Sequence, residues 1–374
     1  MLCGRIDFRP LSFSFHFGAR GNFFSVFSFL FLFPRNISSF FQSAYLLSSF
    51  FLRNFATNVA KLTNVDHKVH TYMKKIFIVL TIAFLGWHGI ANGQQPATAN
   101  MQPKTDSLYT LTAGHVAMTI DASFGGRIRS LRYDDREVLS QTRWPESFGS
   151  TFWTSPQSEW NWPPVAEIDK GAYTVEQADR NTITMTSQPS RRLGIAVTKR
   201  FTAADDGTSI SVTYTISNVG SAERRVAPWE ITRVPNGGLI FFDAPLSAVS
   251  PAGLLAFQSA HDAVWYRADT TGENRKINAD ASGWLAFADN GLLLVKEFPD
   301  LKATEPAPGE AEVQVYVNRG KTYIELESQG AYASLQPGEQ LSWTVRWHLV
   351  PTDQEPSPSV SLLEQVRSLL KADE

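Results

Sequence analysis

Nine consecutive residues near the C-terminus alternate without a break: Leu341, Trp343, Val345, Trp347 and Leu349 are apolar, while Ser342, Thr344, Arg346 and His348 between them are polar. A period of two is the repeat of an extended strand with one face in a core, whereas a helix would scatter the same apolar residues around its circumference. The pattern recurs. Ile210, Val212, Tyr214 and Ile216 alternate with Ser and Thr from Ser209 to Ser217, and Val313, Val315 and Val317 alternate with Gln314 and Tyr316. Turn signals stand between such runs: Asp205-Asp206-Gly207, Asn236-Gly237-Gly238, Asp289-Asn290-Gly291 and Gln336-Pro337-Gly338. The runs continue without a linker, which predicts an all-β, antiparallel domain over residues 108–352. A linker and one short helix follow over 353–374, with Ser361 and Glu364 as a capping box and Val360, Leu363, Val366 and Leu370 as the apolar stripe.

The front of the chain differs. Of the 26 Phe, 15 fall in the first 55 residues, a Phe/Ser-rich stretch without helical or strand period. Residues 73–93 join two lysines, an apolar run from Ile76 to Leu85 and small residues at Ala91 and Gly93, the layout of a secretory signal peptide. The run is shorter than the roughly 20 residues that span a bilayer, so no stable membrane anchor is expected. Translation is expected to begin at Met73, making residues 1–72 a non-native or disordered extension, and residues 94–107 a polar leader to a periplasmic or secreted protein.

Nine of the 34 Lys/Arg but only two of the 36 Asp/Glu lie in residues 1–93, leaving a net charge near −9 on the remainder. An acidic domain lacks the basic patch that nucleic acid or an anionic membrane surface requires. Cys3 is the only cysteine, which excludes an intramolecular disulfide and a cysteine zinc site. His115, His261 and His348 have no metal-ligand or triad spacing, and His348, alternating with Trp347, is expected on the surface. No cofactor and no metal is expected. Gly125-Gly126-Arg127 reads as a hairpin, since no helix pattern follows to make it a phosphate cradle.

Three segments could carry chemistry. Residues 151–164 place Trp153, Trp160 and Trp162 beside Gln157, Glu159 and Asn161, and Pro156, Pro163 and Pro164 predict a loop there. Flat indoles beside amides and carboxylates suit the apolar face and hydroxyl rim of a sugar, although such a loop could equally plug one end of a sandwich. In Ala227–Arg233, Trp229, Ile231 and Arg233 share one strand face and Glu230 the other. Glu230 is either an acid/base group or the partner of a nearby arginine such as Arg224 or Arg225. In Lys321–Gln329, Glu325 and Glu327 share a face with Tyr323; two carboxylates about 7 Å apart raise each other's pKa where water is excluded and are simply solvated where it is not.

These segments, in this order, resemble the galactose mutarotase-like superfamily. Phe124 to Leu131, F-G-G-R-I-R-S-L, looks like its opening G-G-x-I-x-S-L hairpin, and Tyr323 to Glu339 is similar to the mutarotase stretch L-E-T-Q followed by L-x-P-G-E. The resemblance implies a large antiparallel β supersandwich with an open sugar-binding cleft, and Glu327 as catalytic base. Mutarotases also use two histidines; Trp229 stands at the position of one, and the Trp-rich segment roughly at that of the other. T-F-W-T-S-P-Q-S and A-P-W-E-I-T-R-V look instead like a bacterial branch of the superfamily known as a domain of unknown function. The expected protein is a monomer that binds a small sugar or glycan through Arg127, Trp153, Gln157, Trp160, Trp229, Arg233 and Glu325. If catalytic, it would mutarotate or epimerise sugars with Glu327 as base and Glu230 as acid. Glycoside cleavage by Glu230 and Glu327, or binding without catalysis, are the alternatives.

Overall fold

The alternation is realised as two ten-stranded sheets that lie face to face across an apolar core. The structure, a computed structural model, describes residues 10–19, 22–32, 107–143, 146–268, 273–320 and 322–371. Residues 1–99 and 100–374 are separate compact units. In the first, β1 (Pro10–Ala19) and β2 (Asn22–Leu32) pair antiparallel, which corrects the expectation of a stretch without strand period: Leu11, Phe13, Phe15 and Phe17 alternate with Ser12, Ser14 and His16. The segment 73–93 and the leader 94–106 lie outside the described residues.

In the second unit the strands are, in chain order, β3 (Leu108–Ala113), β4 (Val116–Asp121), β5 (Arg127–Tyr133), β6 (Arg136–Glu137), β7 (Ser150–Ser155), β8 (Thr174–Ala178), β9 (Thr182–Thr186) and β10 (Ile195–Ala203). They continue as β11 (Ser209–Asn218), β12 (Arg224–Val234), β13 (Leu239–Phe242), β14 (Gln258–Ala260), β15 (Ala263–Arg267), β16 (Arg275–Ala279), β17 (Trp284–Asp289) and β18 (Leu292–Glu297). The last are β19 (Val313–Val317), β20 (Ile324–Gln329), β21 (Ala333–Leu335) and β22 (Gln340–Pro351). One sheet runs β16-β19-β20-β12-β7-β5-β4-β3, with β21 on β12 and β6 on β5; the other runs β14-β15-β13-β17-β18-β22-β11-β10-β9-β8. Every pairing is antiparallel, the supersandwich expected from the sequence.

Turn chemistry matches the connections. Asn290 and Gly291, at φ 48° and 70°, supply the two left-handed residues of the tight β17–β18 hairpin. At the C-terminus α2 (Val360–Lys371) forms, but its cap is Ser359, whose Oγ accepts from the Leu362 N–H, and not Ser361. The buried face is Leu362, Leu363 and Val366, while Val360 is exposed. Among the described residues no helix is long and apolar enough to cross a membrane.

Two expectations fail, the first because both faces of β7 are covered and the second because the face of β22 that is open along Ser342, Thr344 and Arg346 is covered at His348. Of residues 151–164, expected in a loop, Thr151–Ser155 instead belong to β7, an entirely buried strand between β12 and β5, while 156–164 are irregular around a 3-10 turn; Pro156 marks the strand's end and does not prevent it. His348, expected on the surface, is buried, with its Nε2 3.1 Å from Glu297 Oε2.

The core between the sheets also holds charge. Lys199, on β10, is fully buried under the Phe152, Tyr173 and Tyr214 rings and donates to Gly125 O at 2.7 Å and Gly126 O at 3.2 Å. Burial, helped by repulsion from Arg127, pushes its pKa down from 10.5 to about 7. Between those values the unfolded chain binds the proton that the folded one releases, so this lysine makes stability rise with pH across the window and weakens the fold below it. Chemical denaturation of Lys199→Met at pH 6 and pH 9 should show a gain over the wild type that is larger at pH 6; an equal gain at both would contradict the assignment.

Candidate functional site

On the sheet that contains β12 and β20, strand register fixes which side chains share the face turned away from the core. Ile231 pairs with Glu327 and with Thr151, Glu327 with Gln314, and Gln314 with Asn278, giving one row. A second row is Arg233, Glu325, Tyr316 and Lys276, and a third is Trp153, Trp229 and Gln329. Directly opposed residues point to the same side, so Trp153, Trp229, Arg233, Glu325, Glu327, Gln329, Gln314 and Lys276 converge on one surface.

Glu327 is at its centre. Its Oε2 accepts from Trp229 Nε1 at 2.9 Å and from Lys276 Nζ at 2.8 Å, and the Lys276 Nζ also stands 4.5 Å from the Trp229 ring centroid. Lys276, whose side chain is 31 % exposed, thereby lies over a carboxylate that is 1 % exposed. Next to it Glu325 pairs with Arg233 at 2.9 Å. Burial pushes the Glu325 carboxyl up; Arg233 opposes this and the nearby Glu327 adds to it. On the other side is an amide and carboxylate ladder: Gln329 Nε2 donates to Glu310 and Gln314, and Gln314 Nε2 donates to Asn278 and Glu310.

The wall beyond Trp153 is built around Asp169, at the end of α1 (Ala166–Asp169). Its Oδ1 accepts from Arg127 Nη2 (3.1 Å), Thr151 Oγ1 (2.9 Å) and Trp153 Nε1 (2.9 Å). Gly125 makes this approach possible: at φ 71° it packs so closely that a Cβ would lie 2.1 Å from the Asp169 carbonyl oxygen. Arg127, also bonded to the Glu146 and Phe148 carbonyls and 1 % exposed, is part of this support. Burial outweighs Asp169 and lowers its pKa to about 10.

The indoles form a chain. Trp229 and Trp153 meet edge-to-face at 5.3 Å, Trp153 and Trp162 at 6.1 Å, and Trp160 packs 5.7 Å from Trp153 while donating to the Thr154 carbonyl. Trp229, Trp153 and Trp160 are buried; Trp162 is 71 % exposed. Gln157 sits in a short 3-10 turn, its backbone N–H on Glu310 Oε1, at the rim of the ladder.

Glu230 belongs elsewhere. It points into the core between the sheets, where its carboxylate pairs with Lys296 Nζ at 2.8 Å and accepts from Tyr214 Oη (2.6 Å) and Trp347 Nε1 (3.2 Å). Its partner is not an arginine: Arg224 pairs with Glu159, and Arg225 stacks over Tyr332. Because Glu230 and Glu327 occupy opposite faces of one sheet, they cannot flank a bond, and the expected acid/base pair and its glycosidase alternative are both withdrawn. Arg127, Trp153, Gln157, Trp160, Trp229, Arg233, Glu325 and Glu327 do come together. Sequence reasoning missed Lys276, Glu310, Gln329 and Asp169 as neighbours of the site. For Lys276 a signal existed, since Arg275, Ile277 and Ala279 alternate with Lys276 and Asn278.

Two surface cavities, of about 620 and 570 Å³, lie away from this face; Asp243, Asp262 and Asp280 line the first, and Arg136, Asp353 and Gln365 the second. On the candidate face itself Trp229, Gln314, Glu327 and Gln329 are buried.

No family model and no curated protein matches the sequence. Solved structures do. Its structural neighbours are galactose mutarotase-like proteins. They include a galactose mutarotase-like protein from Lactobacillus casei (13 % identity, 65 % of this chain and 100 % of that one, TM-score 0.48) and a galactose mutarotase related enzyme from Lactobacillus acidophilus (11 %, 67 % and 100 %, 0.45). A galactose mutarotase-like protein from Clostridium acetobutylicum is similar at 9 % identity, over 65 % of this chain and 95 % of that one, with a TM-score of 0.43. At these identities and TM-scores the likeness adds nothing to the residue chemistry, and the architecture stands on the chain's own strand pairing.

The placement of Glu230 is testable. Lys296→Met strands a carboxylate in the core and should cost about 3–5 kcal/mol in urea denaturation. Pairing it with Glu230→Leu should recover much of that loss. A cost under about 1 kcal/mol for Lys296→Met, as for an exposed ion pair, would contradict the buried assignment.

Proposed function

We propose that this chain is a carbohydrate-binding protein of the mutarotase-like fold, exported by way of segment 73–93, that binds a sugar on the face around Trp162, Lys276 and Glu327. One observation carries the reading: an edge-to-face chain of indoles leads from Glu327 through Trp229 and Trp153 to Trp162 in solvent, beside a ladder of amides and carboxylates. A stacking surface and a row of hydrogen-bonding groups are what the two sides of a pyranose need. Trp162 offers the platform, and Lys276 is the cover that gives way to bring hydroxyls to Glu327 and Gln314.

A second reading, sugar mutarotation, is favoured by the 2.8 Å contact between Glu327 Oε2 and Lys276 Nζ. It places a base and a proton donor side by side, so that Glu327 could take the anomeric hydroxyl proton while Lys276 returns one to the ring oxygen. Lys276 thus replaces Glu230 as the acid.

Proton NMR of freshly dissolved α-anomers separates the two. Saturation transfer from protein to sugar is expected, and Trp162→Ala should weaken affinity roughly two- to thirteenfold, the equivalent of about 0.5–1.5 kcal/mol of stacking. Absence of transfer for aldoses, uronates and oligosaccharides alike would sink the binding reading. Anomer equilibration faster than in buffer, lost in Glu327→Gln, would establish mutarotation; an unchanged rate with contact would leave a binder.

A further inference from the structure

Two side chains of the candidate face keep buried polar atoms that meet no partner, and they differ in kind on the two sides of Glu327. On one side is Arg233, 3 % exposed, held between the Trp153 and Tyr323 rings at 5.9 and 5.7 Å. One of its nitrogens reaches Glu325, but Nε and Nη1 are buried without an acceptor. On the other side the Gln329 Oε1, also buried, has no donor. Leaving such groups unmet costs on the order of 1–3 kcal/mol each, more for a charged one, and the guanidinium of Arg233 is the charged one that stands beside Glu327, where a ligand could meet it.

From these atoms we infer that the ligand of this site is a sugar bearing a carboxylate, a uronic acid, with its carboxylate on Arg233 and a hydroxyl on Gln329. The inference rests on the carbohydrate reading above and adds the substrate class. Register sets the geometry: Ile231 faces Glu327 and Arg233 faces Glu325, so Arg233 is the diagonal neighbour of Glu327, about 7–8 Å away between backbones. A pyranose whose anomeric hydroxyl meets Glu327 can direct a carboxylate on the far side of its ring toward that guanidinium. The ion pairs of the face are Arg127 with Asp169, Arg233 with Glu325 and Lys276 with Glu327. Because burial favours the neutral form of Glu325, the pairing of Arg233 is the one most readily surrendered to an incoming anion. A neutral sugar would offer this cation hydrogen bonds but no compensating charge.

Calorimetric titration of the full chain with D-glucuronate and D-galacturonate, their methyl esters and their parent aldoses tests this. Each free uronate should bind at least about tenfold more tightly than its aldose, as expected for one charge-assisted contact, and the ester should fall to the aldose level. Arg233→Gln should remove the preference; because that substitution is in a buried position, the ester comparison on unaltered protein carries the test if the variant does not fold. Equal affinity for uronate, ester and aldose would overturn the Arg233 subsite while leaving carbohydrate binding in place. Binding of none of them while oligosaccharides still show saturation transfer would overturn the uronate subsite alone, and no contact with oligosaccharides either would remove both readings. With glucose 6-phosphate added to the series, its binding in preference to the uronates would overturn the carboxylate assignment in favour of a phosphoryl group.

Discussion

The buried pair of Glu230 and Lys296 decides which way the central strands face. Both side chains are fully buried, and a charge in that position is tolerable only if opposed and hydrogen-bonded. Lys296, Tyr214 and Trp347, all on the opposing sheet, converge on Glu230 and supply the charge and the donors. Burial depresses the Lys296 pKa and raises that of Tyr214, so both groups depend on the carboxylate as much as it depends on them. With Glu230 committed to the core, strand parity sends Trp229, Ile231 and Arg233 outward, and pairing with β20 sends Glu325, Glu327 and Gln329 the same way. A slip of one residue would place the whole candidate site in the core and its apolar counterpart on the outside.

The same logic makes the site nearly neutral and closed. Each cation on the face has its own carboxylate, and the indoles pack on one another edge-to-face. Lys276 is the movable part, being the one member of the Lys276–Glu327–Trp229 contact with substantial exposure. Access to Glu327 therefore requires displacing a 2.8 Å ion pair and a cation–π contact, a cost that ligand contacts must offset. Trp162 stands outside this closure and is available before it opens.

Much of this architecture was legible along the chain. The alternation from Leu341 to Leu349, the Asn290-Gly291 hairpin and a short terminal helix are local, and local periodicity and turn conformation are what a sequence displays. The face shared by Trp229 and Arg233, and that shared by Glu325 and Glu327, followed from parity alone. The helix cap was displaced by two residues, from Ser361 to Ser359, because either serine suits the local pattern and packing of Leu362 and Leu363 chose between them.

What the chain could not show is which face of a doubly buried strand meets the other sheet. Strands β7, β12 and β20 are covered on both sides, so exposure gives no contrast between their faces. That is why Glu230 read as a cleft residue, while Thr151–Ser155 read as loop because the local signal of the prolines from Pro156 onward extends over the residues before them. The sequence by itself determined the strands, their parity and the pairing of Glu325 with Glu327 on one face. The tertiary structure decided that Lys276 and Gln314 stand beside Glu327 while Glu230 stands behind it, because contacts between strands far apart in sequence depend on sheet order and register, which no local repeat encodes.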